Sequence, residues 1–199
     1  MTPARGRSDA GQAFPIYITV VAGLLFLALA YFAVGQAAAT RSDAQTAADA
    51  AALAAALETR DRLADQWIEN VLEPDAWQDI FDGKAPVPSA CWRAQQMAAR
   101  NDASADCAPD GLLGYTVVAE TNDTVGDSIV PGTEEQKATE TATAVIEARC
   151  SPEPPADNAD DEALPSLSCD GDEDWDLNPD DLSDLPKPED LFDVHLADS

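Results

Sequence analysis

The sequence predicts an α+β protein. It comprises a single-pass apolar helix continuing as a long extracytoplasmic helix, a small disulfide-stapled α+β domain, and an acidic, mostly irregular tail. Three observations predict this class. An uncharged apolar run leads directly into an alanine-rich stretch without proline. Two segments, Gly114–Thr121 and the threonine-rich 137–150, carry β-type residues. All four cysteines follow the apolar run. The chain divides into a leader, 1–13; a transmembrane helix, 14–35; an Ala-rich helix, 36–73; an exported domain, 74–150; and a tail, 151–199, with room for a short terminal strand.

The apolar run comes first. Phe14 to Val34 reads "FPIYITVVAGLLFLALAYFAV", and no charged residue stands between Asp9 and Arg41. Its 21 residues make about 31 Å of helix, close to the hydrocarbon thickness of a bilayer. A helix satisfies its own backbone in lipid, Pro15 falls in the first turn where a missing N–H is tolerated, and Tyr17 and Tyr31 lie near the two interfaces. The rival is a cleaved signal peptide, with Arg5 and Arg7 as its basic part and Ala37–Ala39 as the cleavage region. The run is longer than the usual signal core. Arg5 and Arg7 before the span place the N-terminus in the cytoplasm and the remainder outside.

Past the span, residues 35–72 hold no proline, and "QTAADAAALAAAL" (Gln45 to Leu57) is rich in the best helix former. One rod from about Phe14 to Leu72 is expected, ended by Pro74. Ala48, Leu53 and Leu57 are its expected helix-packing face, where low side-chain bulk allows close approach. Glu58 and Arg62 form an i,i+4 pair. Asp75–Phe81 is expected to be helical, and "SACWRAQQMAAR" is expected to form a helix with Ser89 as N-cap and Asn101 as its end. "GYTVVAET" reads as a strand. So does "KATETATAVIEARC", by its period of two, with a helix as the alternative. Ser128-Ile129-Val130 is an apolar spot in a long loop.

Cys91, Cys107, Cys150 and Cys169 are an even set in a segment read as exported, which predicts two disulfides. Three pairings are possible; Cys91–Cys107 with Cys150–Cys169 closes short loops and is the default. Zinc would need a CxxC pair or a nearby histidine, and the single histidine is His195.

The formal net charge is −27. That argues against a nucleic-acid partner, which needs a Lys/Arg surface, and the sequence gives no sign of a small-molecule substrate. No nucleophile–base pattern or phosphate loop is present, so no catalytic residue and no cofactor is expected. Residues 151–199 hold 17 carboxylates, seven prolines and one lysine, a composition that favours an irregular chain. Asp170, Asp172, Asp174 and Asp176 alternate like the start of a calcium loop. However, Trp175 stands where that loop needs Gly, and Asp181 where it needs Glu, so they are a weak candidate. "LFDVHL", 191–196, alternates like a strand.

The stretch "RSDAGQAFPIYITVVAGLLFLALAYFAVGQAAATRSDAQTAADAAALAAA", residues 7–56, resembles the N-terminal region of TadE/TadG-like pilus-assembly proteins of the tight-adherence (Flp pilus) system, and especially their actinobacterial TadG-like branch. "AQTAADAAALAAA" is the most specific element. "NDTVGDSIVPGTE…ATETATAVIEARC" is similar to the exported part of those members. The resemblance implies a membrane-anchored, non-enzymatic accessory or scaffold whose partners are pilin or other pilus-assembly subunits. In class III prepilins a Glu stands five residues after the cleaved Gly. Counting from Gly11 that position is Ile16, so permanent anchoring is expected.

Overall fold

In the computed structural model, residues 13–124, 135–155, 163–171 and 173–197 are described. Ser128–Val130 and Asp172 lie outside them, as does the Gly11 position.

Helix α1 spans Ala13–Glu69 as one continuous element of 57 residues, about 86 Å long. It ends three residues before Leu72 because Asn70 folds back. The Asn70 side-chain amide donates to the Gln66 carbonyl at 2.7 Å, and the Glu73 N–H closes a turn onto the Asn70 carbonyl at 2.9 Å. Pro74–Ala76 forms a 3-10 turn and Trp77–Phe81 the short helix α2, in place of the single helical piece expected from Asp75. Trp77, Ile80 and Phe81 are buried, and the Trp77 indole donates to the Asn70 carbonyl at 3.0 Å.

Helix α3, Cys91–Arg100, ends at Asn101 as its sequence suggests, but its N-cap is Ala90, not Ser89. The Ser89 hydroxyl lies 3.4 Å from the Cys91 N–H, too far to cap well. An unforeseen group does the work instead. The Tyr115 hydroxyl, buried beneath the helix start, accepts from the Ala90 N–H at 3.1 Å and sits 2.9 Å from the buried Thr59 hydroxyl of α1. One phenol therefore joins α1, α3 and the sheet. Tyr115→Phe is expected to destabilise the full chain by about 1–3 kcal/mol, since both remaining groups stay buried and lose their partner. Urea titration in detergent reads the loss; an unchanged midpoint would show that the hydroxyl contributes nothing.

Strands β1 (Ala103–Pro109), β2 (Gly114–Thr121) and β3 (Thr139–Ala148) form an antiparallel sheet. It is completed in the order β1-β2-β3-β7 by β7, Phe192–Leu196. β1 has little intrinsic strand character, and its pairing from Ala103↔Thr121 to Pro109↔Tyr115 shows the partner strand deciding its state. A second sheet holds β4 (Cys150–Glu153), β5 (Ser166–Cys169) and β6 (Glu173–Trp175). The one-turn helix α4, Pro188–Leu191, precedes β7.

The alternation of β2 and β3 decides which side is covered. Tyr115, Val117, Ala119, Ala142, Ala144 and Ile146 turn inward and are buried. On the outer side Thr116 and Thr143 share a hydroxyl hydrogen bond of 2.9 Å. The core changes character along α1. Near its start it is lined by alanines: Ala47, Ala48, Ala51 and Ala52 against Ala94, Ala98, Ala119 and Ala142. Farther along it is filled by Trp67, Trp77, Phe81, Leu191 and Phe192. Small residues let neighbouring backbones approach closely at one end, and aromatic volume fills the wider gap at the other.

Candidate functional site along the long helix

From Phe14 to Asp43 no residue of α1 is buried, and Ala44 is the first that is. Within this free half the helix is long and apolar enough to cross a membrane. Phe14, Leu24, Phe26 and Phe32 are each more than half exposed, which a watery surface would oppose and lipid would favour. Thr19, polar but within the run, donates its hydroxyl to the Pro15 carbonyl at 2.8 Å, the in-helix satisfaction that an apolar medium requires.

From Ala44 onward α1 is gripped by its own chain, and side-chain contacts begin a few residues earlier, at Thr40 to Asp43. Arg41 forms an ion pair with Glu140 at the start of β3, where the helix meets the sheet. Helix α3 runs antiparallel alongside: Arg93 pairs with Glu58 at 3.6 Å near one end, while Arg100 and Asn101 share a groove with Thr40 and Asp43 at the other. The expected Glu58–Arg62 pair is present at 3.0 Å, and Arg62 also reaches the Pro88 carbonyl at 3.3 Å.

This arrangement corrects the packing face read from sequence. Ala48 is fully buried, Leu53 half-buried and Leu57 exposed at 38 %. Ala48 and Leu57 are nine positions apart, which at 100° per residue is about half a turn, so they point to opposite sides. The face that seats neighbours consists of alanines, Ala44, Ala48, Ala51, Ala52 and Ala55, and what covers it is α3 and the sheet of the same molecule. Ala55→Leu is therefore expected to cost about 1–3 kcal/mol by overpacking, whereas Leu57→Lys should stay within about 0.5 kcal/mol. Thermal melts of the two variants separate the faces; equal losses would contradict the assignment.

Both disulfides join nearest neighbours, the default pairing. Cys91–Cys107 ties the start of α3 to β1 across a Cα–Cα distance of 5.5 Å. Cys150–Cys169 bridges directly opposite residues of β4 and β5.

Of the four acidic candidates, Asp170, Asp174 and Asp176 are among the described residues, and Asp174 and Asp176 line one shallow groove. Asp174 and Asp176 flank Trp175 on the surface, and the Asp170 N–H donates to the Arg149 carbonyl at 2.8 Å. Among the described residues, no group of three or more His, Cys, Asp or Glu side chains is arranged to hold a metal ion. His195 lies on β7 with its Nδ1 3.2 Å from Asp193. Sequence reasoning missed Tyr115 and Thr59. A tyrosine opening a strand and a threonine within a helix signal nothing until the fold superposes them.

Neither the curated proteins nor the solved structures give a match to this chain. One family model does match, that of the putative Flp pilus-assembly TadE/G-like proteins, over residues 11–58. The matched segment runs from just before the apolar half of α1 to the end of the buried alanine face. Over those residues the chain is similar to the TadE/G-like family model.

Proposed function

We propose that this protein is a membrane-anchored, non-enzymatic accessory or scaffold of Flp/Tad-type pilus assembly, with its N-terminus in the cytoplasm and its disulfide-bonded domain outside. The carrying observation is the coincidence of the TadE/G-like match with a helix whose first half is apolar and uncovered. Two disulfides support an oxidising compartment for the domain. Arg5 and Arg7 ahead of the span support the orientation. Because α3 and the sheet already occupy the alanine face, partners are expected along the free half of α1 and on the outer surfaces of the domain.

Two measurements test the reading. Carbonate-washed membranes should retain the protein with an intact mass that includes the apolar run; recovery from the medium with a mass beginning near Thr40 would instead identify a secreted product. Photo-crosslinkers placed at Leu25, Ala37 and Leu57 in cells should capture pilin or other pilus-assembly subunits from at least one site. Capture of unrelated proteins alone, or of nothing, would remove the scaffold role while leaving the anchor intact.

A further inference from the structure

We infer that the base of the folded domain rests on the headgroup layer of the bilayer, and that its mixed charges suit a zwitterionic surface. This inference rests on the anchor reading above. The helix register carries it. The apolar run ends at Val34 and the first buried residue of the domain is Ala44, within one unbroken helix. The intervening residues 35–43 span only about 14 Å, and the polar layer on each side of a bilayer takes up roughly 5–7 Å of that.

The residues at this level form a definite surface. Thr40 and Asp43 of α1, Arg100 and Asp102 at the end of α3, and Asp123 after β2 line an open groove of about 370 Å³. Arg41 stands beside it, paired with Glu140, and Lys137 pairs with Glu120 at 3.3 Å. Arg100 is exposed and forms no ion pair among the described residues. Among the described residues, three cations thus share this end of the domain with Asp43, Asp102, Asp123, Glu120, Glu135 and Glu140, in a chain whose net charge is −27. An anionic surface would repel such a chain. Zwitterionic headgroups offer a phosphate to Arg100 and an ammonium to the carboxylates. The continuous helix and its grip by the sheet from Ala44 onward hold the domain at this height.

The test uses the full chain in vesicles whose lipid headgroups carry a nitroxide quencher. A fluorescent amino acid is placed at Ser104, beside the base, or at Ser151, at the far end of β3. The ten residues of β3 put about 30 Å between the two levels. Quenching at Ser104 should exceed that at Ser151 at least threefold in phosphatidylcholine vesicles, and should fall when a third of the lipid is phosphatidylglycerol. Inserting seven helix-forming residues between Ala38 and Ala39 keeps the helical face nearly unchanged but raises the domain by about 10 Å; quenching at Ser104 should then fall at least twofold, and an unchanged value would overturn the inference. Equal quenching at both sites, in protein that floats with the vesicles, would overturn the inference and spare the anchor. Stronger quenching in the anionic vesicles would overturn the zwitterionic assignment, and failure to float would overturn anchor and inference together.

Discussion

Phe192→Ala should destabilise the protein by about 3–5 kcal/mol, the usual range for emptying a buried aromatic site. Phe192 is fully buried and its ring lies 5.5 Å from that of Phe81. It also opens β7, where it pairs with Ala148. Leu191 beside it is equally buried, and its carbonyl accepts from the Arg149 N–H at 2.9 Å. An acidic segment therefore supplies part of the core that surrounds Trp67 and Trp77. Urea unfolding of the full chain in detergent, followed by tryptophan fluorescence, gives the loss directly. A change below about 1 kcal/mol would mean that the end of the chain does not close the core. Asp193→Asn, on the exposed side of the same strand, serves as the control and should remain within about 0.5 kcal/mol.

Replacing Cys150 and Cys169 together by serine should cost about 3 kcal/mol. The two are separated by 19 positions, and closing a loop of that length removes about this much freedom from the unfolded chain. The bridge joins β4 to β5, and β5 places Leu167 fully buried in the core. Without it, β4 and β5 have to meet against the mutual repulsion of the carboxylates between them in sequence. The loss should therefore be larger at low salt than at high salt, because screening weakens that repulsion. Parallel melts at two ionic strengths read both effects. A double variant as stable as the parent would show that the second sheet holds without its bridge. The Cys91–Cys107 pair is expected to matter for a different reason, since it fixes α3, which covers the alanine face of α1.

The two largest features of the fold were legible in residue type alone. An uncharged run of 21 residues leaves few alternatives to a helix suited to lipid, and the proline-free continuation predicts one rod, which α1 is. Gly114–Thr121 was legible as a strand to the residue, because β-branched and aromatic side chains concentrate there. Loop length favours, among three possible pairings, the nearest-neighbour one that Cys91–Cys107 and Cys150–Cys169 form. Composition, by contrast, does not reveal how residues 151–199 divide. Its carboxylates and prolines describe the average of the segment, whereas Leu167, Leu191 and Phe192 are single residues placed by register. β1 was illegible for a related reason, since Ala103–Pro109 becomes a strand only through its partner.

The alanine stretch shows most clearly where sequence stops. Its composition determined that it is helical, and its small side chains determined that something could approach closely. A sequence read on its own supplies no partner, so it predicts a face of Ala48, Leu53 and Leu57 by side-chain size and spacing alone. Tertiary structure decided that the occupant is the chain's own α3 and sheet, seated on the side opposite Leu57. Helical propensity is a property of neighbouring residues along the chain. Which face is covered depends on elements that return from 50 to 100 residues away, and their arrival is set by packing.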